Sequence, residues 1–558
     1  MTRSLALGLM LLAAVPLSAP AQPRTPNDAL IRVAIRGIAE SARHPYLRWP
    51  DFPDYRDELE AFYGPIGYGL AWLENGRMIP QARDAIDALL GADRRGLNPD
   101  DYDANRLDSL WRAFEAEPGP PPDVQALVDV ALTIGLFRHL SDLHIGRVNP
   151  ANLNIGFNIA PKKYDLPALV RAAMATGRIP ATIDEVQPHL LQYRMLLEVL
   201  GRYRMLADET PLTPLPDPGH NVEPGDRYEE LPQLGRLLAV LGDLPDSAQA
   251  SVSTAYEGEV VEAVKRFQAR HGRTVDGVLG PATFASLNTP LAQRLEQIEL
   301  ALERLRWLPE LEDERFIAVN VPAFRLWAVD PAREEGTPAL SMRVVVGQAL
   351  NKQTPVFMEG MKWLEFRPYW NIPYGITVRE ILPLIREDPS HLEQNGYEIV
   401  PEFGDDVRPL PASEENIEQL GSGQLKLRQR PGPKNSLGLV KFIFPNNAAV
   451  YLHDTPATQL FQRSRRDFSH GCIRVENPIG LAEFVLSGEP GDWTRDRIVG
   501  AMNGQRLTRV VLTRAIPVII FYTTVFVTTD GTVTFYDDIY GHDRTLAGAL
   551  AAGYPYPP

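Results

Sequence analysis

The feature that most constrains the fold of this chain is a change of pattern near Arg315. Before it, apolar residues recur at helical spacing, for example in Ala82–Leu90 and in the long stretch Val124–Leu140. After it come short β-rich runs such as FIAVNV, MRVVVG, LVKFIF and PVIIFYTTVFV. At 558 residues the chain is also too long for one hydrophobic core. The sequence therefore predicts a multidomain α+β protein that is helical first and β-rich last.

Linker and helix signals place the domain boundaries. Residues 211–225 (PLTPLPDPGHNVEPG) are rich in Pro and Gly, which is typical of a linker. In the module that follows, Val260, Ala263, Val264 and Phe267 share one helix face. The expected segments are an export signal at 1–21, a helical domain with its linker at 22–225, a small helical domain at 226–290, a connecting helix at 291–310, a β-rich domain at 311–545 and a C-terminal tail at 546–558. The connecting helix is alternatively a continuation of the first helical domain.

The first residues resemble a secretory signal peptide. Arg3 supplies a positive start, Leu5–Val15 form an apolar run, and Ala19-Pro20-Ala21 resembles a cleavage site. The apolar run is too short to span a bilayer, although a retained membrane anchor is the alternative. The formal charge of −15 argues against nucleic acid as a partner, because phosphate binding needs a basic surface. We therefore expect an exported protein that binds no nucleic acid.

Export makes the single cysteine, Cys472, unusual, since exported proteins often carry cysteines in pairs. A buried core residue is the ordinary alternative for a lone cysteine. Its neighbours favour a nucleophile, because Gly471 allows a tight turn and Arg474 can favour a thiolate or hold a substrate carboxylate. The turn leads into a helix predicted to begin at Asn477-Pro478. The backbone N–H groups of His470, Gly471 and Cys472 are therefore candidates for an oxyanion hole.

A cysteine nucleophile needs a base, and His453 is the predicted one. The runs Leu439–Phe444 and Ala449–His453 flank Pro445-Asn446-Asn447, a pattern typical of a β-hairpin. Strand alternation then places His453 at a strand end, on the same face as Tyr451.

His470 is the alternative base, but it lies only two residues from the sulfur and is better placed to orient the loop by hydrogen bonding. Two groups could orient His453: the side chain of Asp454, or a backbone carbonyl. The sequence leaves that choice open.

These motifs resemble those of a known family. YLHDTP followed by SHGCIR, with nineteen positions from His453 to Cys472, resembles the signature of the YkuD-type L,D-transpeptidases. PYWNIP, PGPKNSLGLVKFIFPN and FYDDIYGHD further resemble the large periplasmic YcbB-like subgroup. The run AVKRFQARHGRTVDGVLGPATFASLN resembles a peptidoglycan-binding module, although its matching residues identify a fold better than a glycan contact.

The resemblance implies a β-rich YkuD-type catalytic domain in the periplasm, with Cys472 as nucleophile and His453 as proton acceptor and donor. Its substrates would be peptidoglycan stem peptides, joined between two diaminopimelate residues through a cysteine thioester. Carbapenems would be covalent inhibitors, and no metal or cofactor is expected. The remaining candidate residues are Ser469, His470 and Gly471 in the loop, and Arg474, Tyr451 and Trp370 at the substrate. For the two aromatic residues, ordinary core packing is the alternative.

Other outcomes remain open at the same site. With water as acceptor the enzyme would be an L,D-carboxypeptidase or endopeptidase, and with a protein lysine it would anchor proteins to the wall. A non-enzymatic wall-binding scaffold is disfavoured by the intact motif. The resemblance also implies that residues 375–430 form a capping subdomain and mobile lid, in which Thr377 and Glu380 are expected to form a helix capping box. A packed decoration is the alternative.

Overall fold

The computed structural model describes residues 25–117, 119–153, 162, 164–209, 213–249, 252–309, 311, 314–350 and 352–553. The expected export signal at 1–21 lies outside these residues. The described chain forms two compact units, the first within 1–147 and 162–187 and the second mainly within 188–552.

The first unit is helical around a long central helix. Its N-terminal helix begins where Thr25 and Asp28 form a capping box. Proline at the first turn starts several of the other helices. The helices are α1 (Pro26–Ser41), α2 (Arg56–Tyr63), α3 (Pro80–Leu90), α4 (Ala104–Ala116), α5 (Pro122–Ile145), α6 (Leu166–Thr176) and α7 (Ile179–Val186), with a short hairpin of β1 (Leu73–Glu74) and β2 (Arg77–Met78).

The central helix α5 is long and apolar enough to cross a membrane by length and composition alone. However, 78% of its apolar window is buried inside the protein. It also buries Asp129, whose carboxylate accepts hydrogen bonds from the backbone of Ala71 and Trp72 and from Tyr63. These contacts are typical of the core helix of a globular domain.

The second unit begins with helices that the sequence assigned to separate segments. α8 (Leu191–Glu209) packs against α13 (Leu291–Arg306) through one apolar cluster that also contains Val525 and Phe535. The connecting helix therefore shares a core with α8 and with strands near the C-terminus. Between these two helices lies a small module of α9 (Leu231–Val240), α10 (Asp246–Gln249), α11 (Glu259–Arg270) and α12 (Pro281–Leu287).

The small module has its own core, and the predicted face of α11 lies in it. Val260, Ala263, Val264 and Phe267 are all buried, which confirms the helical spacing. The module is joined to the rest of the unit next to this core, where His271 stacks between Phe267 and Phe535.

A nine-stranded sheet forms the β-rich part of the second unit. Its strands are β3 (Phe316–Asn320), β4 (Arg325–Val329), β5 (Leu340–Gly347), β6 (Phe357–Phe366), β10 (Val440–Ile443), β11 (Leu452–His453), β12 (Asp467–Ser469), β13 (Ile473–Val475) and β14 (Thr508–Phe521). They pair in the order β12-β5-β13-β11-β10-β6-β14-β3-β4, and a further pairing of β4 with β5 closes eight of them into a ring. Helices α18 (Pro478–Leu486) and α19 (Arg495–Met502) pack on the sheet core. The architecture confirms the multidomain α+β prediction.

The end of the chain is more ordered than the expected tail at 546–558. Strands β15 (Val525–Val527) and β16 (Val533–Phe535) form a hairpin, and α20 (His542–Ala551) follows. Leu546 in α20 is buried, so the first part of the expected tail belongs to the folded unit. Residues 554–558 lie outside the described chain.

The capping insertion has a core and a sheet of its own. Strands β7 (Trp370–Asn371), β8 (Tyr397–Val400) and β9 (Lys426–Gln429) pair in the order β7-β9-β8. Its helices are α14 (Tyr374–Ile376), α15 (Leu382–Glu387), α16 (His391–Asn395) and α17 (Glu414–Ser422), with a π-helical turn at Thr377–Ile381. We call residues 370–429 the capping subdomain.

The predicted capping box in this insertion is wrong. Thr377 does not begin a helix, because the helical run already starts at Tyr374, and its hydroxyl donates to the carbonyl of Pro373 at 3.3 Å. Glu380 does not return to that backbone either. Its carboxylate is held instead by side chains from outside the capping subdomain, which local sequence spacing cannot reveal.

Candidate active site

Cys472 lies in the short loop between β12 and β13, and Gly471 makes the turn before it. Gly471 has φ of 112°, a conformation that residues with a side chain rarely adopt. Ser469 braces the turn, because its hydroxyl accepts from the N–H of Gly471 at 3.1 Å and donates to the carbonyl of Cys472. Thr354 adds a second brace by donating to the carbonyl of Gly471 at 2.8 Å. Thr354 lies 117 residues from Gly471, so local sequence patterns could not predict this contact.

Two of the three candidate oxyanion donors remain available. The N–H of Gly471 is engaged by Ser469. Within the described chain, the N–H groups of His470 and Cys472 have no hydrogen-bond partner. Asn477 caps α18 as predicted, accepting from the N–H of Gly480 at 2.9 Å, and Pro478 is its first residue. The loop thus presents free backbone donors next to a thiol.

Tyr451 is one of the residues that surround the Cys472 sulfur. Its backbone N–H and its hydroxyl both lower the pKa of the thiol, and the Trp370 side chain lies beside the same hydroxyl. The sulfur also lies 3.8 Å from the carbonyl oxygen of Ala449. The structure therefore brings Tyr451 to the thiol, and it brings Trp370 of the capping subdomain to Tyr451.

His453 lies in the neighbouring strand and is held by a backbone carbonyl. β11 pairs in parallel with β13, so that His453 is opposite Arg474. Its Nδ1 hydrogen-bonds the carbonyl oxygen of Asp454. The Asp454 carboxylate is used elsewhere, accepting from the N–H groups of Leu439 and Thr455 at 2.8 and 2.7 Å. The carbonyl, and not the adjacent carboxylate, orients the imidazole.

Burial favours the neutral forms of both Cys472 and His453. It raises the pKa of the Cys472 thiol, against the opposing effects of the Tyr451 hydrogen bonds and of the positive charges on Lys441 and Arg474. It lowers the pKa of His453 to about 3, and the charge of Arg474 adds to this effect. At neutral pH the pair is therefore a thiol and a neutral imidazole that can accept a proton.

We expect the alkylation of Cys472 by iodoacetamide to rise with pH and to show no plateau at neutral pH. Because the pKa of the thiol is raised, the thiolate fraction should grow about tenfold per pH unit up to a value above the ordinary thiol pKa of ~8.5. The measurement is the pseudo-first-order rate of mass increase between pH 5 and 10. A rate that is already constant between pH 6 and 8 would show a preformed thiolate–imidazolium pair.

The side chain of His470 contacts Glu380 of the capping subdomain. Its Nε2 lies 2.7 Å from Oε1 of Glu380, and Lys352 Nζ lies 3.0 Å from the same oxygen. Although desolvation works against ionisation, the hydrogen bonds from His470 and Lys352 hold the pKa of Glu380 below its ordinary value. His470 thus has a loop-orienting contact, whose partner lies 90 residues away.

We expect Glu380→Ala to loosen the loop that carries Cys472. Losing a charge-assisted hydrogen bond at a half-exposed position should lower kcat/KM by about threefold to tenfold and speed hydrogen exchange at residues 469–472. The contact contributes above the ordinary carboxylate pKa, and is lost as the pH falls through the lowered pKa of Glu380. Glu387→Ala, an exposed position on the next helix, is the control. Equal exchange in both variants would contradict the contact.

Arg474 and Lys441 complete the surroundings of the thiol. Within the described residues, the Arg474 guanidinium makes no hydrogen bond and no ion pair, and its Nε is buried without a partner. The Lys441 ammonium lies 3.9 Å from the centre of the Tyr451 ring. Sequence reasoning missed Lys441, although strand alternation with the buried Val440 and Phe442 would have placed it on the face opposite to theirs.

The described residues contain no group of three or more His, Cys, Asp or Glu side chains that could hold a metal ion. The site contains a thiol, an imidazole and backbone N–H donors. Such a site is suited to acyl transfer through a covalent intermediate.

Comparisons with known proteins agree with this chemistry. Residues 314–499 match the family model described as "L,D-transpeptidase catalytic domain" (YkuD), residues 57–200 match "Scaffold domain", and residues 227–287 match "Putative peptidoglycan binding domain". A curated protein of Haemophilus influenzae, "Putative L,D-transpeptidase", is 31% identical over 251 residues, which are 45% of this chain. The chain spans about half the length of that relative, 49%.

These matches confirm the resemblance stated for the SHGCIR motif and for the small helical module. Matches to domains of these kinds also indicate an extracellular or periplasmic location. Residues 314–499 of the second unit are therefore similar to the L,D-transpeptidase catalytic domain of the YkuD family, and other segments of the chain are similar to a scaffold domain and to a peptidoglycan-binding domain.

Proposed function

We propose that this protein is a periplasmic peptidoglycan L,D-transpeptidase that cross-links two diaminopimelate residues through a thioester on Cys472. The observation that carries the proposal is the position of the thiol. It follows a glycine turn with two free backbone N–H groups, and it lies beside a strand that holds a neutral imidazole on a backbone carbonyl.

In the first half-reaction, His453 accepts the proton of the Cys472 thiol while the sulfur attacks the carbonyl carbon at the L-centre of diaminopimelate in a donor tetrapeptide. The N–H groups of His470 and Cys472 stabilise the oxyanion. The imidazolium then protonates the leaving amine, and D-alanine departs. A thioester and a neutral His453 remain.

In the second half-reaction, the side-chain amine of a second stem's diaminopimelate attacks the thioester. His453 takes a proton from this amine, and the sulfur leaves and is protonated. The product is an amide between the third residues of two stems, and the enzyme returns with a thiol. Tyr451 and Trp370 would form the walls of the cleft in which the two stems meet.

We further infer that the capping subdomain is a mobile lid over this cleft. It contributes Trp370 and Glu380 to the surroundings of the thiol, while its own core is separate from that of the catalytic sheet. Opening of such a lid would admit the stems, and closing it would limit access of water to the thioester.

Product analysis with purified tetrapeptide stems tests the reaction. We expect cross-linked dimers and free D-alanine, with a thioester adduct visible by intact-protein mass spectrometry. Release of tripeptides with no dimers would show that water is the acceptor and would defeat the transpeptidase proposal. The wild-type protein should also gain the mass of one carbapenem.

A further inference from the structure

A row of ionisable side chains crosses five adjacent strands of the catalytic sheet. In register across β13, β11, β10, β6 and β14, each residue lies opposite the next. Residues that are directly opposite each other share a face of the sheet. The row therefore lies on one face. Its members are Arg474, His453, Lys441, Glu365 and Arg509.

Only one end of this row is neutralised. Arg509 holds Glu365 through two nitrogen–oxygen contacts of 2.7 and 2.9 Å, and the Trp363 indole adds a third contact to the same oxygen at 3.3 Å. Glu365 is thus already ion-paired with Arg509, and its charge acts on Lys441 only without a direct contact.

The other end carries two cations that make no ion pair within the described residues. Within the described chain, neither the Lys441 ammonium nor the Arg474 guanidinium makes a hydrogen bond or an ion pair. Both are partly buried. Holding an unpaired charge away from water is costly, and it is normally compensated by a ligand or a partner.

The two cations flank the reacting groups. Lys441 and Arg474 lie on either side of His453 in register, and both interact electrostatically with Cys472. Because burial keeps the thiol neutral in the free enzyme, the sulfur does not supply the missing negative charge. An anion from outside would complete the row.

We propose that Lys441 and Arg474 form a two-cation site that binds a carboxylate of the donor stem peptide beside Cys472. The inference rests on the proposed function, which supplies a donor with two such groups: the terminal carboxylate of D-alanine and the carboxylate on the side chain of diaminopimelate. A bound carboxylate would also offset the two positive charges that disfavour a protonated His453.

Binding without turnover tests the site directly. Isothermal titration of the donor tetrapeptide would compare Cys472→Ala with Cys472→Ala/Lys441→Gln and Cys472→Ala/Lys441→Arg. We expect Lys441→Gln to weaken binding by about tenfold and Lys441→Arg to restore it. Cys472→Ala/Lys362→Gln, which changes an exposed lysine of β6, should bind like the parent. Equal affinity in all four proteins would overturn the proposal.

Donors with one carboxylate blocked identify the bound group. The parent should bind one of the two blocked donors, the D-alanine amide or the diaminopimelate amide, about tenfold more weakly than the unmodified donor. Lys441→Gln should not weaken the binding of that blocked donor any further. If Lys441→Gln weakens the binding of all three donors equally, the lysine does not bind a carboxylate and the proposal fails. Melting temperatures within a few degrees of each other show that the variants are folded.

A separate measurement excludes an effect on the thiol alone. Alkylation by uncharged iodoacetamide reports the reactivity of Cys472 without any carboxylate. If Lys441→Gln slows alkylation as much as it lowers kcat/KM on every donor, the lysine acts only on the sulfur, which would overturn the proposal. Absence of dimers and of a thioester in the wild-type protein would instead defeat the proposed function, while the titration would still measure the site.

Discussion

Cys472→Ala is expected to abolish the thioester adduct and to lower the rate of dimer formation by at least about a thousandfold. The chain contains no other cysteine that could replace the nucleophile. Its backbone donors would remain, but a covalent intermediate cannot form without the sulfur. The side chain is small and only half-buried, so the fold should survive the change.

Intact-protein mass after incubation with a carbapenem is the measurement. The wild-type protein should gain one adduct and Cys472→Ala none, while both bind the donor peptide. Ser469→Ala is a useful control from the same loop, because it removes the brace between Gly471 and Cys472 and leaves the nucleophile. It should slow acylation without preventing it. An equal adduct on Cys472→Ala would show that another residue is the nucleophile.

His453→Asn should reduce kcat by roughly a hundredfold to ten-thousandfold, the range typical of a lost general base. The imidazole is buried and held by the carbonyl of Asp454, so no other side chain can take its position without rearrangement. The measurement is the rate of D-alanine release at saturating donor. Alkylation of Cys472 at high pH should remain possible in this variant, because hydroxide replaces the base.

The matched control is Asp454→Asn, which keeps the carbonyl that holds His453. The asparagine oxygen can still accept one of the two backbone hydrogen bonds now made to Leu439 and Thr455. We expect kcat within a few-fold of wild type, with the free energy of unfolding lower by about 1–2 kcal/mol. A loss of kcat as large as that of His453→Asn would mean that the carboxylate, and not the carbonyl, orients the base.

The sequence alone predicted much of this site, because its main features are local. Gly471 and Cys472 lie together in one short motif, and β10 pairs with β11 as the predicted hairpin requires. The second strand is shorter than the predicted Ala449–His453, since β11 contains only Leu452 and His453, but the rings of Tyr451 and His453 still lie 5.7 Å apart. The buried face of α11 and the N-cap at Asn477 could also be predicted, since helical spacing and capping depend on residues a few positions apart.

Other features depended on pairs that are distant in the chain. The prediction of a capping box at Thr377 was wrong because Glu380 contacts Lys352 and His470 instead of the backbone of its own helix. The choice between the carboxylate and the carbonyl of Asp454 needed the position of Leu439, which takes the carboxylate.

The sequence by itself determined the position of Cys472 after a glycine turn and of His453 at a strand end, because both follow from local spacing. Only the tertiary structure decided their charge environment. Strands from five separate stretches pair in an order that is not their order in the chain, and this register aligns Arg474, His453 and Lys441 beside the thiol. Strand order and register arise from long-range packing, which no local pattern encodes.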